Sequence, residues 1–350
     1  MKKITYLGLD VHARNCVLGN MDDSGTFRGN RKFTTSEANM IKALKSISTK
    51  EKYLALEEGT LAHWAAQVAS PYVSQVIICD PRQNALIYKS SHKKDPIDTH
   101  KLCRLLRLGE LKQVYHPEDD TRAIFKAAVQ HYHDLSHQLT RFKQKIKAMY
   151  RHWGVIDVFG DSVYSTKHSG RYLQQIKHRS VLQQISRLYH LMDQNAAMKQ
   201  SAKKSMKDLG RKYPEIVEFK KLPGIGEVGA HTFDAYIQTP YRFAKDNKLW
   251  RYCRLGVTDR SSDGKPLGFK RLDRSGIGEL KSLSYRAFMA VMKGDNEVKR
   301  FYRQSLQRTH SRKHARLNTQ RKILTVMLTI WKKGDAYHPE LFLAPSTIGL

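Results

Sequence analysis

The stretch Ile4-Thr-Tyr-Leu-Gly-Leu-Asp10 decides the fold, because it alternates like a β-strand and ends on an acidic residue. Two further strand-like stretches follow at about 15–21 and 26–34, and the turn-forming residues Asp22-Asp-Ser-Gly25 separate them. These adjacent segments predict three neighbouring strands at the start of a sheet.

The next part of the chain alternates between helix and strand patterns. Helical spacing covers about 36–47, and buried strands are predicted at 53–56 and 75–79, on either side of a helix that begins near Leu61. Three strands followed by strand–helix–strand are typical of a mixed sheet with helices on its faces. We therefore predict an α/β domain over residues 1–115.

The chain carries far more positive than negative charge. Among its 350 residues, 62 Lys and Arg stand against 32 Asp and Glu, which leaves a formal net charge of +30. Such an excess favours a polyanionic partner, and nucleic acid is the usual one. A membrane surface is the rival interpretation, but the longest apolar run, Ile323–Trp331, is far shorter than the ~20 residues of a membrane-spanning helix. The composition predicts a nucleic-acid-binding protein without a membrane partner.

The cysteines and the N-terminus predict a cytoplasmic location. The four cysteines lie far apart, without a CxxC pair or a zinc-like spacing to histidine. We expect them to be reduced. Asp10 and His12 interrupt any signal-peptide core almost at once.

Two long helical stretches occupy a predicted middle region, residues 116–212. Residues 121–153 contain no Pro or Gly and repeat apolar residues at helical intervals, as do residues 171–209. A Gly- and Ser-bearing break at 154–170 joins them. The pair forms either an intramolecular helical bundle or coiled-coil-like arms that pair with another subunit.

A mostly helical C-terminal region is predicted over residues 213–345. From Lys299 to Gly334 there is no Asp or Glu, while Lys and Arg occur eleven times. A helix without acidic residues favours phosphate contact, and the alternative is an ordinary solvated face.

The turn Leu222-Pro-Gly-Ile-Gly226 has the form of a helix-hairpin-helix motif, in which glycines allow close backbone approach and free N–H groups bind phosphate. We expect Lys221, Gly224 and Gly226 to bind the DNA backbone. The alternative is a plain glycine-rich turn between helices.

Four acidic residues are candidates for a metal site. Asp10 and Glu57 close neighbouring strands, so they converge at one edge of the sheet, and Asp95 and Asp98 share one face of a helix that runs to about Leu108. Carboxylate oxygens suit Mg²⁺ or Mn²⁺, and two such ions stabilise both oxygens in phosphoryl transfer.

Each of these acids also has a structural interpretation. Asp95-Pro-Ile-Asp98 is a good helix start, with Asp as the N-cap and Pro at the first helical position. Glu57 and its neighbour Glu58 would be unremarkable on a surface. Asp10 is expected to be buried without a partner, which is costly and points to a ligand role.

Three motifs resemble the DEDD transposases of bacterial insertion sequences: Gly8-Leu-Asp-Val-His12, Leu56-Glu-Glu-Gly-Thr60 and Lys93-Lys-Asp-Pro-Ile-Asp-Thr99. That family includes the Piv-type DNA invertases, and its N-terminal domain is similar to the Holliday-junction resolvase RuvC, with an RNase H-like fold. The resemblance implies that Asp10, Glu57, Asp95 and Asp98 form the DEDD tetrad, with Glu58 as the alternative to Glu57.

The resemblance extends to the loop that follows the Pro-Gly-Ile-Gly turn. Matching Arg260-Ser-Ser-Asp-Gly-Lys265 to the family's loop places Ser262 at its catalytic serine, with Ser261 as the alternative one residue away. Family loops tend to have Ser-Gly where this chain has Ser-Asp-Gly. Arg260, Lys265, Lys270 and Arg271 are candidates to neutralise phosphate charge around the serine.

The resemblance implies a nucleoid-associated transposase that cuts and rejoins donor and target DNA through a serine–DNA intermediate. Characterised family members are guided by a structured RNA, so the resemblance also implies a guide RNA. Because the tetrad and the serine are distant in sequence, we expect a homodimer or homotetramer on DNA. The alternatives are a RuvC-like structure-selective endonuclease, a Piv-like invertase without RNA and a non-catalytic nucleic-acid-binding protein.

Overall fold

A computed structural model of the chain describes residues 3–80, 95–117, 120–262 and 265–343. The chain divides into two compact units, Met1–Glu118 and Asp119–Leu350. The first boundary lies close to the predicted end of the α/β domain. The predicted division of the remaining chain at 212 stays a prediction.

A five-stranded mixed sheet forms the centre of unit 1. Its strands, in chain order, are β1 (Ile4–Val11), β2 (Asn15–Asp22), β3 (Phe27–Thr34), β4 (Glu51–Glu57) and β5 (Gln75–Cys79). The strand order across the sheet is β3-β2-β1-β4-β5. β1 runs parallel to β4, and β4 parallel to β5, whereas β2 is antiparallel to both β1 and β3. This mixed α/β sheet followed by a helical region fits an RNase H-like domain.

Helices cover the sheet of unit 1. They are α1 (Glu37–Lys45), α2 (Ala62–Ala69) and α3 (Asp95–Leu108). Leu7, Leu9, Leu54 and Leu56 form an apolar core with buried residues of α1 and α2. Because side chains alternate along a strand, the residues between these leucines belong to the opposite face.

Helix α3 lies close to the sheet at two glycines. Gly8 and Gly19 are partners across β1 and β2. A Cβ on Gly8 would overlap the carbonyl oxygen of Thr99 and lie 2.9 Å from the Cβ of Leu102, and a Cβ on Gly19 would lie 3.0 Å from the side chain of Thr99. The glycine pair therefore forms a trough that seats the first turns of α3.

A long helical hairpin begins unit 2. Its helices are α4 (Asp120–His152), α5 (Thr166–Leu173) and α6 (Arg179–Gly210). α4 and α6 are antiparallel neighbours, since Asn195 Nδ2 donates to Gln138 Oε1 at 3.0 Å and the hydroxyls of Tyr150 and Tyr189 lie 3.3 Å apart. The predicted intramolecular pairing is therefore present within one chain.

The predicted second long helix is interrupted, which corrects the expectation of one helix over 171–209. α5 ends at Leu173 and α6 begins at Arg179. Between them Ile176 is buried in the apolar cluster at the tip of the hairpin, together with Tyr172 and Val181. The break allows side chains on both sides of it to reach the same core, which helical spacing alone does not reveal.

The rest of unit 2 is mostly helical, as predicted. Its elements are α7 (Glu215–Lys221), α8 (Glu227–Ile237), α9 (Asp246–Tyr252), β6 (Val257–Ser262), β7 (Lys265–Leu272), α10 (Gly278–Val291), α11 (Glu297–Thr309), α12 (Arg312–Lys333) and α13 (Glu340–Leu343). One large apolar core joins them and includes Phe125 and Val129 of α4.

The apolar run in α12 is the centre of this core. Ile323, Leu324 and Met327 are fully buried there. Among the helices that the structure describes, none combines the length and apolarity needed to cross a bilayer.

Residues 257–262 and 265–272 pair as the two strands of a β-hairpin, where the sequence predicted a loop. β6 and β7 are antiparallel, with Val257 opposite Leu272 and Ser262 opposite Lys265. Asp263-Gly264 is a dipeptide typical of hairpin turns; these two residues lie outside the described part of the chain.

Candidate active site

Asp10 and Glu57 stand side by side at the carboxyl ends of two parallel strands. The register of β1 and β4 pairs Gly8 with Ala55 and ends with Leu9 opposite Leu56, so the next residues on the two strands are Asp10 and Glu57. Neighbouring strands lie about 4.8 Å apart. Asp10 belongs to the same face as Gly8, which is the face that α3 covers.

Asp98 lies in the first turn of α3, on this same face. It precedes Thr99, which is fully buried between the glycine trough and Asn30, whose Oδ1 accepts a 2.6 Å hydrogen bond from the Thr99 hydroxyl. Oδ1 of Asp98 is buried and has no hydrogen-bond partner among the described residues. Such an orphaned carboxylate oxygen is costly unless a cation completes its environment.

Asp10 is less buried than predicted. Its side chain is 24% exposed, and its Oδ2 lies 3.2 Å from Nε2 of His12. The expectation of a buried carboxylate without a partner was therefore wrong. The reason is that Asp10 lies near the end of the strand, where the sheet edge leaves room for solvent and for the next exposed side chain.

Glu57 and Glu58 have different surroundings. Glu57 is the last residue of β4, is partly buried and has its Oε1 removed from solvent. Glu58 is exposed, and its backbone N–H donates to the carbonyl of Cys79 at 2.9 Å. This difference favours Glu57 for the tetrad.

Asp95 begins α3, as the sequence predicted, but its side chain lies outside the described part. Among the described side chains, no group of three or more His, Cys, Asp or Glu is spaced to hold a metal ion. The structure thus brings Asp10, Glu57 and Asp98 to one face of the sheet without closing them into a preformed cage. Their oxygens are the ligand type that Mg²⁺ and Mn²⁺ bind.

Ser262 is the last residue of β6. The register of β6 and β7 shifts between Asp259 and Ser261, so the irregularity falls at Arg260. The side chains of 259–270, which include Arg260, Ser261, Ser262 and Lys265, lie outside the described part. β-bulges are frequent next to active sites, where they change the direction of a strand.

Arg321 of α12 holds the base of the β6–β7 hairpin. Its Nε and Nη2 both donate to the carbonyl of Leu255, at 2.9 and 2.6 Å, and its guanidinium lies 4.9 Å from the ring centroid of Trp250. Burial lowers the pKa of Arg321. Leu255 lies two residues before β6, so this contact ties the hairpin to the core helix of unit 2.

A second contact closes the other strand of the hairpin. Arg251 Nε donates to Asp273 Oδ2 at 2.9 Å, and the N–H of Asp273 donates to the carbonyl of Gly256 at 2.8 Å. Hydrogen bonds from the hydroxyl and N–H of Ser275 lower the pKa of Asp273 to about 2, and Arg251 adds to this. These contacts attach both strands of the hairpin to the helical core. Arg271, the second-last residue of β7, is exposed.

The glycine turn joins α7 to α8. Gly224 has φ +83°, and a Cβ there would lie 2.5 Å from the carbonyl oxygen of Ala287, so close approach to α10 requires glycine. Gly226 is the N-cap of α8 and faces open space. Lys221 does not present a free ammonium, because its Nζ lies 2.7 Å from Glu218 Oε1.

Part of the acid-free basic stretch is used inside the protein. Arg321 binds a carbonyl, Lys332 Nζ donates to the carbonyl of Phe243 at 2.9 Å, and Lys322 is buried, which lowers its pKa. By contrast, Arg312 and Arg316 at the start of α12 are exposed. Phosphate contact by this stretch stays a prediction, and these three cations show that part of the basic run has a role inside the protein.

Several residues that support the site were not predicted from the sequence. His12 belongs to the Gly8–His12 motif but was given no role at the site, yet its proximity to Asp10 follows from their spacing at a strand end. The glycines Gly8 and Gly19 carried a signal, since glycine inside a strand often marks close backbone approach. No sequence signal pointed to Arg321.

Comparison with protein families agrees with this arrangement in both halves of the chain. A family model described as an IS110-type DEDD transposase matches residues 7–152, and a model described as the transposase IS116/IS110/IS902 family matches residues 218–303. The chain belongs to the IS110-type DEDD transposases. A comparison with curated protein sequences finds no significant match.

Membership of this family makes the chain a DNA transposase or recombinase. The family implies DNA binding and the use of divalent metal ions. The first match contains the sheet with Asp10, Glu57 and Asp98, and the second contains the glycine turn and the β6–β7 hairpin.

Proposed function

We propose that the chain is an RNA-guided recombinase of an insertion sequence that cuts and rejoins DNA strands through a covalent link to Ser262. The observation that supports this most is the order of the family matches. The first contains the sheet face with Asp10, Glu57 and Asp98 (the carboxylate face), and the second contains the β6–β7 hairpin with Ser262 (the serine hairpin). The proposed reaction needs both matches, because Asp10, Glu57 and Asp98 lie in the first and Ser262 lies in the second.

In the proposed reaction, Oγ of Ser262 attacks a DNA phosphorus and forms a 5′-phosphoserine. The bond to the 3′ oxygen breaks, and that oxygen gains the proton that the serine loses, which frees a 3′-hydroxyl. Attack of a 3′-hydroxyl from another strand on the phosphoserine restores the serine and joins the strands. Arg260, Lys265 and Arg271 neutralise phosphate charge near the serine.

Asp10, Glu57, Asp95 and Asp98 would hold the divalent cations, which we take to be Mg²⁺ or Mn²⁺. Bound cations supply charge stabilisation at the phosphate oxygens. The buried, unpartnered Oδ1 of Asp98 supports this assignment, because hard carboxylate oxygens with remaining coordination capacity are what such ions bind.

The serine mechanism is tested by trapping the covalent adduct. DNA substrate labelled on the strand that keeps the 5′-phosphate is incubated with the full chain and Mg²⁺, then resolved under denaturing conditions. We expect a protease-sensitive adduct with wild-type protein and with Ser261→Ala, and none with Ser262→Ala. Strand cleavage at an unchanged rate by Ser262→Ala would sink the serine mechanism.

The metal site is tested without measuring activity. We expect Mn²⁺ to raise the melting temperature of the wild-type protein, because an ion that binds only the folded state stabilises it. Asp98→Asn and Glu57→Gln should abolish this shift, whereas Glu58→Gln should keep it. A shift that survives Asp98→Asn, or is lost in Glu58→Gln, contradicts the assignment.

DNA contact is proposed at the glycine turn and at the exposed cations around α12. Gly226, which faces open space, allows a phosphate to approach the N-terminus of α8 in the manner of a helix-hairpin-helix motif, and Gly224 supports this turn by letting it lie against α10. Lys221 would contribute only after leaving Glu218. Phosphate contacts of this kind give affinity without sequence readout.

Guide RNA and oligomerisation are further parts of the proposal. The excess positive charge supports a protein that holds RNA and two duplexes. At the tip of the α4–α6 hairpin, Ile156 and Phe159 are 70% and 68% exposed, which supports pairing with a second copy as a homodimer or homotetramer. Sequencing of co-purified RNA tests the first point: a discrete small RNA is expected, and only random RNA would contradict guidance. Mass photometry tests the second, where a purely monomeric protein on DNA would contradict it.

A RuvC-like structure-selective endonuclease is the second candidate. It is favoured by the fact that the carboxylate face lies entirely within unit 1, away from the serine hairpin in the sequence. This enzyme would cleave branched DNA with Mg²⁺ and without an adduct. The Ser262→Ala experiment separates the two candidates.

A further inference from the structure

A cleft of about 670 Å³ opens on unit 2 between α4, α6 and the start of α10. It is lined by many hydroxyl groups, basic side chains and tyrosine rings. The lining includes Tyr132, Lys199, Lys281, Tyr285 and Arg286. None of these residues lies on the β6–β7 hairpin or in the glycine turn. Arg286 also lines a smaller pocket beside Gly224 and Gly226, so the cleft adjoins the glycine turn, and it shares no described residue with the β6–β7 hairpin.

Three cations of the cleft have no carboxylate partner among the described residues. Within the part of the chain that the structure describes, no carboxylate lies within 4.0 Å of the charged groups of Lys199, Lys281 or Arg286. Three like charges facing one concavity repel each other, and a bound polyanion removes this cost. The acidic lining residue Glu279 forms no such pair either, and it remains an acceptor for a base or sugar.

Aromatic rings accompany these cations. Tyr285 is 42% exposed, and the guanidinium of Arg316 lies 5.6 Å from its ring centroid. Nζ of Lys199 lies 5.5 Å from the ring centroid of Tyr132. Proteins bind unpaired nucleotides with two kinds of side chain: cations that contact the phosphate backbone and aromatic rings that stack on the bases. A duplex hides the faces of its bases and would leave the rings unused.

We propose that this cleft binds an unpaired segment of a polynucleotide, with Lys199, Lys281 and Arg286 on successive phosphates and Tyr285 stacked on a base. The inference rests on the proposed function in that a recombinase must hold strands that are not paired. The bound strand is DNA or RNA, since both present the same phosphates and base faces.

The test measures binding of the full chain to short labelled oligothymidylate, oligouridylate and a mixed duplex by fluorescence anisotropy across a salt series. We expect the triple variant Lys199→Gln/Lys281→Gln/Arg286→Gln to weaken single-strand binding about tenfold or more. Its slope of log affinity against log salt should fall by about 2, since each lost phosphate contact removes roughly 0.7. A larger loss for one oligonucleotide identifies the strand as DNA or RNA.

A matched charge control removes three exposed cations of unit 2 outside the cleft, in Lys167→Gln/Lys177→Gln/Lys293→Gln. It should keep single-strand affinity within about twofold of wild type. Tyr285→Leu should weaken single-strand binding about tenfold and leave duplex binding unchanged, and Tyr285→Phe should bind like wild type. Melting temperatures confirm that all of these surface variants are folded.

Two results would overturn the proposal. One is equal loss of affinity in the cleft triple and in the control triple, which would mean that only net charge matters. The other is equal loss for duplex and single strands in Tyr285→Leu. Because these measurements need neither metal nor catalysis, they remain informative if Ser262→Ala shows that the recombinase mechanism is wrong.

Discussion

The absence of a side chain at Gly8 sets how closely α3 approaches the sheet. A Cβ at that position would overlap the carbonyl oxygen of Thr99. Since Asp98 immediately precedes Thr99, the same close approach fixes the height of the Asp98 carboxylate above the ends of β1 and β4.

We predict that Gly8→Ala abolishes metal-dependent DNA cleavage and destabilises unit 1 by about 1–3 kcal/mol, because overpacking forces α3 away from the sheet. Urea unfolding and a cleavage assay measure the two effects. Gly170→Ala is the control, since no atom lies within 4 Å of its Cβ position and it lies inside α5. Full activity in Gly8→Ala would show that the position of α3 does not matter for cleavage.

His133 makes stability depend on pH. Burial lowers its pKa to about 4, with Glu279 opposing the shift, and its Nε2 lies 2.9 Å from the hydroxyl of Thr232. The unfolded chain takes up a proton near pH 6.5 and the folded protein does not until about pH 4. Stability therefore falls as pH decreases through this window, by at most about 1.4 kcal/mol per pH unit.

We predict that His133→Gln removes this part of the acid sensitivity while keeping a hydrogen-bond donor for Thr232. The measurement is the free energy of unfolding from urea titrations at several pH values between about 4.5 and 7.5. If the wild-type and variant curves stay parallel throughout, the buried histidine is not the cause.

At the scale of elements, the contacts at the base of the β6–β7 hairpin give a prediction about Arg321. Removing its guanidinium in Arg321→Ala leaves the carbonyl of Leu255 without its donors, a cost of about 1–3 kcal/mol. We predict a large loss of covalent adduct formation with duplex-DNA affinity within about twofold of wild type, because the change affects the position of the hairpin. Hydrogen exchange should become faster across 257–272.

Arg321→Lys provides the comparison for this prediction. A lysine keeps the charge and one donor but lacks the planar fork that reaches the carbonyl with two N–H groups. It should restore part of the adduct yield. Equal yields from wild type and Arg321→Ala would mean that the hairpin is positioned without this contact.

Elements with one buried face were predictable from the sequence. Alternation indicated β1, and short buried apolar runs indicated β4 and β5. Leu7 and Leu9 of β1 and Leu54 and Leu56 of β4 share one apolar core with α1 and α2. The β6–β7 hairpin was missed because its strands are mostly polar and charged and show no alternation of apolar residues. The break after Leu173 was missed because both sides of it bury apolar residues at helical spacing.

The candidate site was predictable in part. Strand ends and helix periodicity indicated that Asp10, Glu57 and Asp98 approach one another. These patterns predict which face of an element a side chain lies on as well as whether the element is a strand or a helix. The solvent exposure of Asp10 and the internal use of Lys322 and Lys332 depend on packing between segments that are distant in sequence, which local patterns do not contain.

At the scale of the whole molecule, the apolar cores respect the division into two units. The cores of unit 1 draw on residues between Leu7 and Leu111, and those of unit 2 on residues between Phe125 and Phe342. We predict that fragments 1–118 and 119–350 each fold when expressed alone, because each keeps its own core. Cooperative thermal melting and dispersed NMR spectra would support this, and a non-cooperative transition in either fragment would contradict it.

The internal cations of α12 have a practical consequence for purification. Arg321 and Lys332 bind carbonyl groups inside the protein, where salt screens charge much less than at an exposed phosphate contact. A wash in concentrated salt should therefore strip contaminating nucleic acid from the exposed surfaces and leave the folded core unharmed. A strand that is held by more phosphate contacts should need a higher salt concentration for its release.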